Sequence, residues 1–550
     1  MRSKFLIVTE KHEASAHLRD GGARVISSLL NILGEDADII QFGDTDGRVE
    51  LRRMAYPFEH TNRFRRRLLN ADWIASQVSA AANGCTDVIF VHASMLFGMT
   101  GEMLAGKKIW LMPMFLGTSY RLAGENPPAE YLEAEKRCLR LAHRIITPSH
   151  FEKTQLVSHY EVDANKIKVI PRGVNQIPGI GTARKLSGRL NFCSVGSIKP
   201  QKNTLSVIRR FATISERHPG SHLLLVGPIQ DAGYFKEVLE ESSKLNLGDS
   251  VSFTGYVTPE EICGALADCH IHLSDTRCET FGRTIFETLA IGIPNLLPGH
   301  RACAAAEHLQ DKPYCRFYDD EASLLEGLSC LLDGYEQRSK AALEIGFIFD
   351  GERLDGLLHA ELRNLPQLLI TDFDGTLFHK HDPELTRMAI KSAQAFPALA
   401  ICSARNTEDL KNLLNGLSLK ANWIIGASGA EIECVRKGML HRECFTPEEL
   451  ELISSVSPEA RIIKSGDQPI QALTHPMTAP AGLRAETYAE GTYLCPQMAS
   501  KLIGALRLID MIGWKGRVSA WGDGPSDLPS LMFFDGVRFP RNMVAPHLSP

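Results

Sequence analysis

Short apolar runs that break into small or charged residues, separated by stretches of helical periodicity, recur in three series along this chain and constrain its fold more than any other feature. The first series comprises FLIVT from Phe5, DVIFVHA from Asp87, KIWLMP from Lys108, RIITPS from Arg144 and KIKVIPRGV from Lys166. A second restarts with LNFCSVGS at Leu190 and continues through HLLLVG at His222, VSFTGY at Val251, HIHLSD at His270 and IPNLLPG at Ile293. The third begins with QLLITDFDG at Gln367 and passes through LAICSAR at Leu399 and WIIGAS at Trp423 to RVSAWGDG at Arg517. Strands that alternate with helices build parallel sheets, because a parallel return needs a crossover long enough to be helical. An α/β protein with three open sheets is therefore expected. The 550 residues exceed what one core organises, since domains hold roughly 100 to 200 residues.

Composition narrows the function classes. A formal net charge of -5 argues against a protein that binds nucleic acid by broad phosphate neutralisation, which needs a strongly basic face. Small-molecule chemistry fits better. The 13 cysteines are odd in number and lack CxxC or His/Cys ligand spacing, which fits reduced thiols in a cytoplasmic protein. The opening MRSKFLIVTEKHE holds too short an apolar run for a signal segment and reads as a buried first strand. No run approaches the roughly 18 apolar residues that span a bilayer, so no integral membrane segment is expected.

The most specific local signal is LLITDFDGTLF, an apolar strand running into Asp372, Phe373, Asp374, Gly375 and Thr376. Alternation at a strand end puts both carboxylates on one face, where they repel unless a proton or cation intervenes. A hard divalent ion with oxygen ligands, most simply Mg²⁺, relieves that repulsion. The motif resembles that of the haloacid dehalogenase superfamily of phosphatases. The superfamily's other motifs follow in order: Ser403 after LAIC, Lys501 in QMASKLIGALRLI, and Asp523 with Asp527 in WGDGPSDLPSL. The resemblance implies that Asp372 attacks phosphorus to form an aspartyl phosphate, while Asp374 protonates the leaving oxygen and later activates water. It further implies that Ser403 and Lys501 hold phosphoryl oxygens. Asp372, the backbone of Asp374, and Asp523 would hold Mg²⁺, with Asp527 a further ligand or the support of one. The segment at about 431–495 lies where one subgroup, including sucrose-phosphate phosphatases, carries a small α/β cap.

A second constellation is SDTRCETFGRTIFETLAIGIPNLL, with Glu279 and Glu287 eight positions apart around Thr280, Phe281 and Gly282. A helix starting near Arg283 would aim its first N–H groups at an anion. This pattern resembles the paired glutamates of retaining glycosyltransferases with the two-lobed GT-B fold, of the family 4 type. By that resemblance Glu279 binds donor-sugar hydroxyls, Glu287 the nucleotide ribose, and the amides near Phe281 and Gly282 the diphosphate. VGSIKPQKN resembles the family's basic diphosphate clamp; Ser197 stands where arginine is more frequent, and Lys199 and Lys202 supply the charge. Gly21 and Gly22, at the start of a helix after the first strand, let donor phosphate or acceptor approach the backbone. His92 after VIFV either contacts the acceptor or is a buried structural histidine. Arg63, Arg65, Arg66 and Arg67 either form an exposed helix face or receive a phosphorylated acceptor.

These readings divide the chain into an acceptor-side lobe at 1–180, a donor-side lobe with a closing helix at 181–364 and a phosphatase-like domain at 366–550. GIGTARKLSGR at 179–189 reads as the link between the lobes, and Pro366 ends the helical stretch before the third series. The order resembles that of sucrose-phosphate synthases, which carry a phosphatase-like domain after the transferase. The implied function is bifunctional: a sugar passes from a nucleotide-sugar donor to a phosphorylated acceptor with retention, and a sugar-phosphate ester is hydrolysed. Two alternatives stand beside it. The transferase could build a surface glycan or specialised metabolite while the C-terminal domain acts on a separate sugar phosphate, or that domain could be a sugar-phosphate sensor.

Overall fold

The apolar runs of the first series are strands because nearly continuous Val, Ile, Leu and Phe suit a sheet covered on both faces. In the computed structural model they are β1 (Phe5–Thr9), β4 (Asp87–Val91), β5 (Lys108–Met112), β6 (Arg144–Thr147) and β7 (Ile167–Val169), joined by β2 (Ala37–Phe42) and β3 (Arg52–Met54). The order is β3-β2-β1-β4-β5-β6-β7, parallel throughout. Every residue of β1 and β4 is buried. The structure describes residues 5–10, 21–43, 52–174, 183–186, 188–258, 261–299, 303–480, 482–488 and 491–539. The expected link at 179–189 lies partly outside them.

The second series gives β8 (Asn191–Val195), β9 (His222–Val226), β10 (Val251–Gly255), β11 (Ile271–Leu273), β12 (Asn295–Pro298) and β13 (Cys315–Tyr318). They form a parallel sheet in the order β10-β9-β8-β11-β12-β13. In each sheet the first strand lies between its successor and a later strand, β1 between β2 and β4 and β8 between β9 and β11. Strand order reverses there, which opens a crevice at the carboxyl ends where ligands of such sheets bind. Both sheets belong to one compact unit, Met1–Asp333, and a second unit is Gly334–Pro550.

The second unit begins with helices Tyr335–Ala342, Glu344–Ile348 and Gly351–Leu362. Its main sheet contains β14 (Gln367–Asp372), β15 (Ala398–Cys402), β16 (Trp423–Gly426), β17 (Glu431–Cys434) and β18 (Gly438–Arg442). A smaller sheet follows, of β19 (Arg461–Ser465), β20 (Gln468–Thr474), β21 (Leu483–Tyr488) and β22 (Gly491–Pro496), before β23 (Arg517–Gly522) and β24 (Val537–Arg538) return to the main sheet. The main order is β18-β17-β16-β15-β14-β23-β24, and that of the smaller sheet is β19-β20-β22-β21, antiparallel throughout. Residues 431–442, at the start of the expected cap, instead extend the main sheet as β17, antiparallel to β16, and β18, antiparallel to β17. The cap's own core packs Phe445, Ile453, Ala472, Leu483 and Leu494 together. Two GT-B-like lobes thus precede a Rossmann-like domain bearing a small α/β cap, the fold class expected from the sequence.

Candidate active sites

In the second unit, register alone brings the separated motifs together. Asp372 ends β14 and pairs with Cys402 of β15, so Ser403 emerges beside it; Thr371 pairs with Trp521 of β23, so Asp523 emerges on its other side. Gly375 makes the turn after the strand at φ +79°, and a Cβ there would lie 2.3 Å from Asp523 Oδ2. No side chain fits. Asp372, Asp523 and Asp527 each offer an oxygen within 4.8 Å of the others, and Thr376 donates to Asp523 Oδ1 at 3.0 Å. Lys501 opens the helix Lys501–Met511, whose N-cap Ser500 accepts from Ile503 N. From there Lys501 Nζ lies 2.7 Å from both Asp372 Oδ1 and Asp527 Oδ1.

The electrostatics follow from burial. Asp372 is 6% exposed and Lys501 5%. Burial, with the nearby Asp527 and Asp523 charges, pushes the Asp372 carboxyl up to about 7 against the pull of Lys501. Burial works to lower the Lys501 ammonium, yet Asp372 and Asp527 outweigh it and hold the group well above its ordinary value. Three carboxylates facing one ammonium leave an excess of negative charge that a proton or a divalent cation would relieve. This all-oxygen, anionic donor set fits Mg²⁺.

Asp374 points elsewhere. Its carboxylate is gripped by the Arg405 fork, with Nε 2.7 Å from Oδ2 and Nη2 2.8 Å from Oδ1. Both side chains are nearly half exposed. Arg405 was not singled out in the sequence; it lies two residues beyond Ser403, and its backbone N–H donates to Ser403 Oγ at 3.2 Å. Nothing in the spacing of positions 374 and 405 announces that bond, although an arginine beside a phosphate-binding serine is a chemical cue.

In the first unit, a cleft at the carboxyl end of β8 is lined by Gly196, Ser197, Lys202, Ser274, Glu279 and Thr284. Two backbone and side-chain bonds to the Gln201 carbonyl, from Arg277 N and Thr276 Oγ1, tie the loop before Glu279 to the turn that carries Lys202. Lys202 and Glu279 consequently form an ion pair. Lys199 stands just before that turn. The helix Arg283–Ala290 starts where the sequence places it, with Gly282 at φ +86° ahead of it; a Cβ there would meet Ile285 Cδ1 at 2.8 Å. Thr280 is half-buried, and Phe281 is buried and stacked on Phe286, so only its backbone can serve a ligand. Glu287 is buried and paired with Arg24 of the other lobe. Gly21 and Gly22 begin the helix Gly21–Leu33, one turn ahead of that arginine.

The arginine-rich helix Arg63–Leu69 divides the two readings of its cluster. Arg65 is exposed, but Arg67 is 5% exposed and its guanidinium bonds Glu10 at 2.6 and 2.9 Å and the Tyr120 and Tyr131 hydroxyls at 3.4 Å. Arg67 is therefore part of a buried polar network, not of an exposed face. Arg63 pairs with Glu125 and lies over the Tyr120 ring. His92 is buried with φ +90°; its Nδ1 accepts from Ser94 N, and Nε2 lies 3.4 Å from the Tyr120 hydroxyl. An L-residue at that φ is strained, and His92 sits where β4 enters the crevice.

Comparisons with known family models match the chain in three parts. Residues 21–176 match the model of Glycosyltransferase Family 4, residues 183–339 that of Glycosyl transferases group 1, and residues 369–464 that of haloacid dehalogenase-like hydrolase. Among curated relatives, the D-inositol 3-phosphate glycosyltransferase of Segniliparus rotundus is 25% identical over 215 residues, covering 35% of this chain and 48% of that protein. The mannosylfructose-phosphate synthase of Agrobacterium fabrum is 25% identical over 185 residues, covering 31% and 41%. The chain thus spans less than half the length of these relatives. Among solved structures, sucrose-phosphate synthase from Thermosynechococcus elongatus superposes with a TM-score of 0.53 at 16% identity, covering 66% of this chain and 98% of that one. Anabaena Alr3699/HepE in complex with UDP and glucose gives 0.52 at 17%, covering 66% and 100%. Both show the fold. The chain therefore joins paired glycosyltransferase domains of the family 4 and group 1 types to a haloacid dehalogenase-like hydrolase domain.

Proposed function

We propose that the first unit transfers a sugar, with retention, from a nucleotide-sugar donor to a phosphorylated acceptor, and that the second hydrolyses a sugar-phosphate ester through Asp372. The observation that carries this reading is the convergence of Asp372, Asp523, Asp527 and Lys501 at the carboxyl ends of β14 and β23, in a chain whose other unit presents Lys202 and Glu279 to a separate cleft. The phosphorylated acceptor is favoured by the names of two relatives, which specify inositol 3-phosphate and a mannosylfructose phosphate.

At the hydrolase site, Lys501 fixes Asp372 Oδ1, which leaves Oδ2 to attack phosphorus. As that bond forms, the bond to the leaving oxygen breaks, and Asp374 supplies its proton. Water then attacks the aspartyl phosphate, the bond between phosphorus and Asp372 breaks, and Asp374 takes a proton from that water, which frees the Asp372 carboxylate and restores the Asp374 carboxylic acid. Because the Ser403 Oγ accepts from Arg405 N, its hydroxyl hydrogen is directed away, toward a phosphoryl oxygen. Mg²⁺ held by Asp372, Asp523 and Asp527, with the backbone of Asp374, would neutralise the phosphoryl oxygens. In the transferase cleft, Lys202 balances the diphosphate, the amides near Phe281 and Gly282 face it, Glu279 receives sugar hydroxyls and Glu287 the ribose. Lys199, Gly21 and Gly22 complete the proposed donor site, and Thr280 borders it.

Two assays test the reading. A panel of nucleotide sugars, followed by liberated nucleotide, should single out one donor, and glucose 6-phosphate with Mg²⁺ should release inorganic phosphate. Release of nucleotide from none, or an inert phosphate ester whatever the cation, would contradict it.

A further inference from the structure

Lys202 and Glu279 are joined within one lobe, whereas Glu287 reaches across to the other. Its carboxylate, 10% exposed, receives Nη1 of Arg24, 23% exposed and 263 residues away in the chain. Arg24 lies in the first turn of the helix Gly21–Leu33, two residues after Gly22, and Glu287 lies in the second turn of Arg283–Ala290. The two helices cover different sheets, so this ion pair ties the lobes together at the crevice. A carboxylate so far removed from water needs a hydrogen-bonding partner to offset its lost hydration, and Arg24 supplies one. The partner also chooses its orientation, because a guanidinium N–H is directional where an ammonium is not.

We infer that Arg24 is a positioning residue for the nucleotide: it holds one oxygen of Glu287 so that the other is set to accept a ribose hydroxyl. The inference rests on the assignment of Glu287 to the ribose. Its consequence is that a residue of the acceptor-side lobe sets the affinity of the donor-side lobe for a nucleoside diphosphate. Arg24 acts through Glu287 and touches no phosphate, which separates it from Lys202, whose charge serves the diphosphate.

Titration calorimetry with UDP and with inorganic pyrophosphate, on the full chain, distinguishes these roles. Arg24→Gln should weaken UDP about tenfold while pyrophosphate, which has no ribose, stays within about twofold, the scale expected for coupled neighbouring groups. Arg24→Lys should recover part of the UDP affinity and shows that the lobe folds with a shorter cation. Combining Arg24→Gln with Glu287→Gln should be no worse than Glu287→Gln alone. Unchanged UDP binding in Arg24→Gln, or equal weakening of UDP and pyrophosphate, overturns the inference. If Glu287→Gln itself binds UDP like the unaltered protein, the ribose assignment fails instead, and the two failures are told apart by that variant.

Discussion

A carboxylate with both oxygens engaged by a guanidinium cannot give a proton, so the Arg405–Asp374 pair describes the hydrolase site before its substrate arrives. Half-exposed ion pairs of this kind open easily, and the same contact ties the Asp374 carboxylate to the loop after Ser403 instead of leaving it loose in solvent. Removing the fork should cost most where protonation of the leaving group matters. Arg405→Gln is therefore expected to lower kcat for glucose 6-phosphate about tenfold more than for p-nitrophenyl phosphate, whose leaving oxygen needs little proton transfer. Equal losses on both esters would contradict the role. Asp372, Ser403, Lys501 and Asp523 were legible because each follows or opens an element with its own sequence signature. Arg405 and Arg24 were not, since an ion pair across 31 or 263 positions depends on sheet order, which local spacing does not encode.

The elements themselves were read well where apolar runs were long. β1, β4 and β5 are buried throughout or nearly so, and their hydrophobicity is continuous. β2 was missed because its run begins with Ala37 and Asp38, half-buried and exposed, behind an acidic turn; β13, CRFY at a sheet edge, has too little apolar sequence to stand out. Helix ends hold a further feature hidden from the sequence. The first N–H groups of the helix His150–Tyr160 donate to the carboxylate of Glu307, on the short helix Ala306–Leu309 of the other lobe. Burial pushes this carboxyl up to about 7, against the two backbone hydrogen bonds that favour its charge. A group whose folded pKa exceeds its unfolded value stabilises below the unfolded value and loses that contribution as pH rises through the folded one. From about pH 4.5 to 7, then, Glu307 should contribute a falling term, roughly 1 to 3 kcal/mol in total. Glu307→Gln keeps an acceptor for the helix but cannot ionise, so its melting temperature relative to the unaltered protein should rise across that window. A difference that does not vary with pH would contradict the buried latch.

At the scale of the whole molecule, the two proposed chemistries have different needs within one chain. The transferase cleft presents a lysine as its counter-charge, whereas the hydrolase cluster carries more carboxylates than cations. Chelation by EDTA should therefore abolish phosphate release and leave nucleotide release within about twofold, because the proposed Mg²⁺ serves only carboxylate ligands. Loss of both activities together would show that the transferase also needs the ion. The division into two α/β lobes and a third Rossmann-like domain was visible in the three series of runs, but the lobes' contacts and the place where the cap leaves the main sheet were not, because both depend on pairing between distant segments. The central claim is the proposal that sugar transfer and phosphate-ester hydrolysis belong to two separate sites, the second built around Asp372. It is tested most directly by following both products with a donor and a phosphorylated acceptor in Asp372→Asn. The account predicts unchanged sugar transfer with accumulation of the phosphorylated product and no free phosphate. A folded Asp372→Asn protein that no longer transfers sugar, or that still releases phosphate, would contradict it.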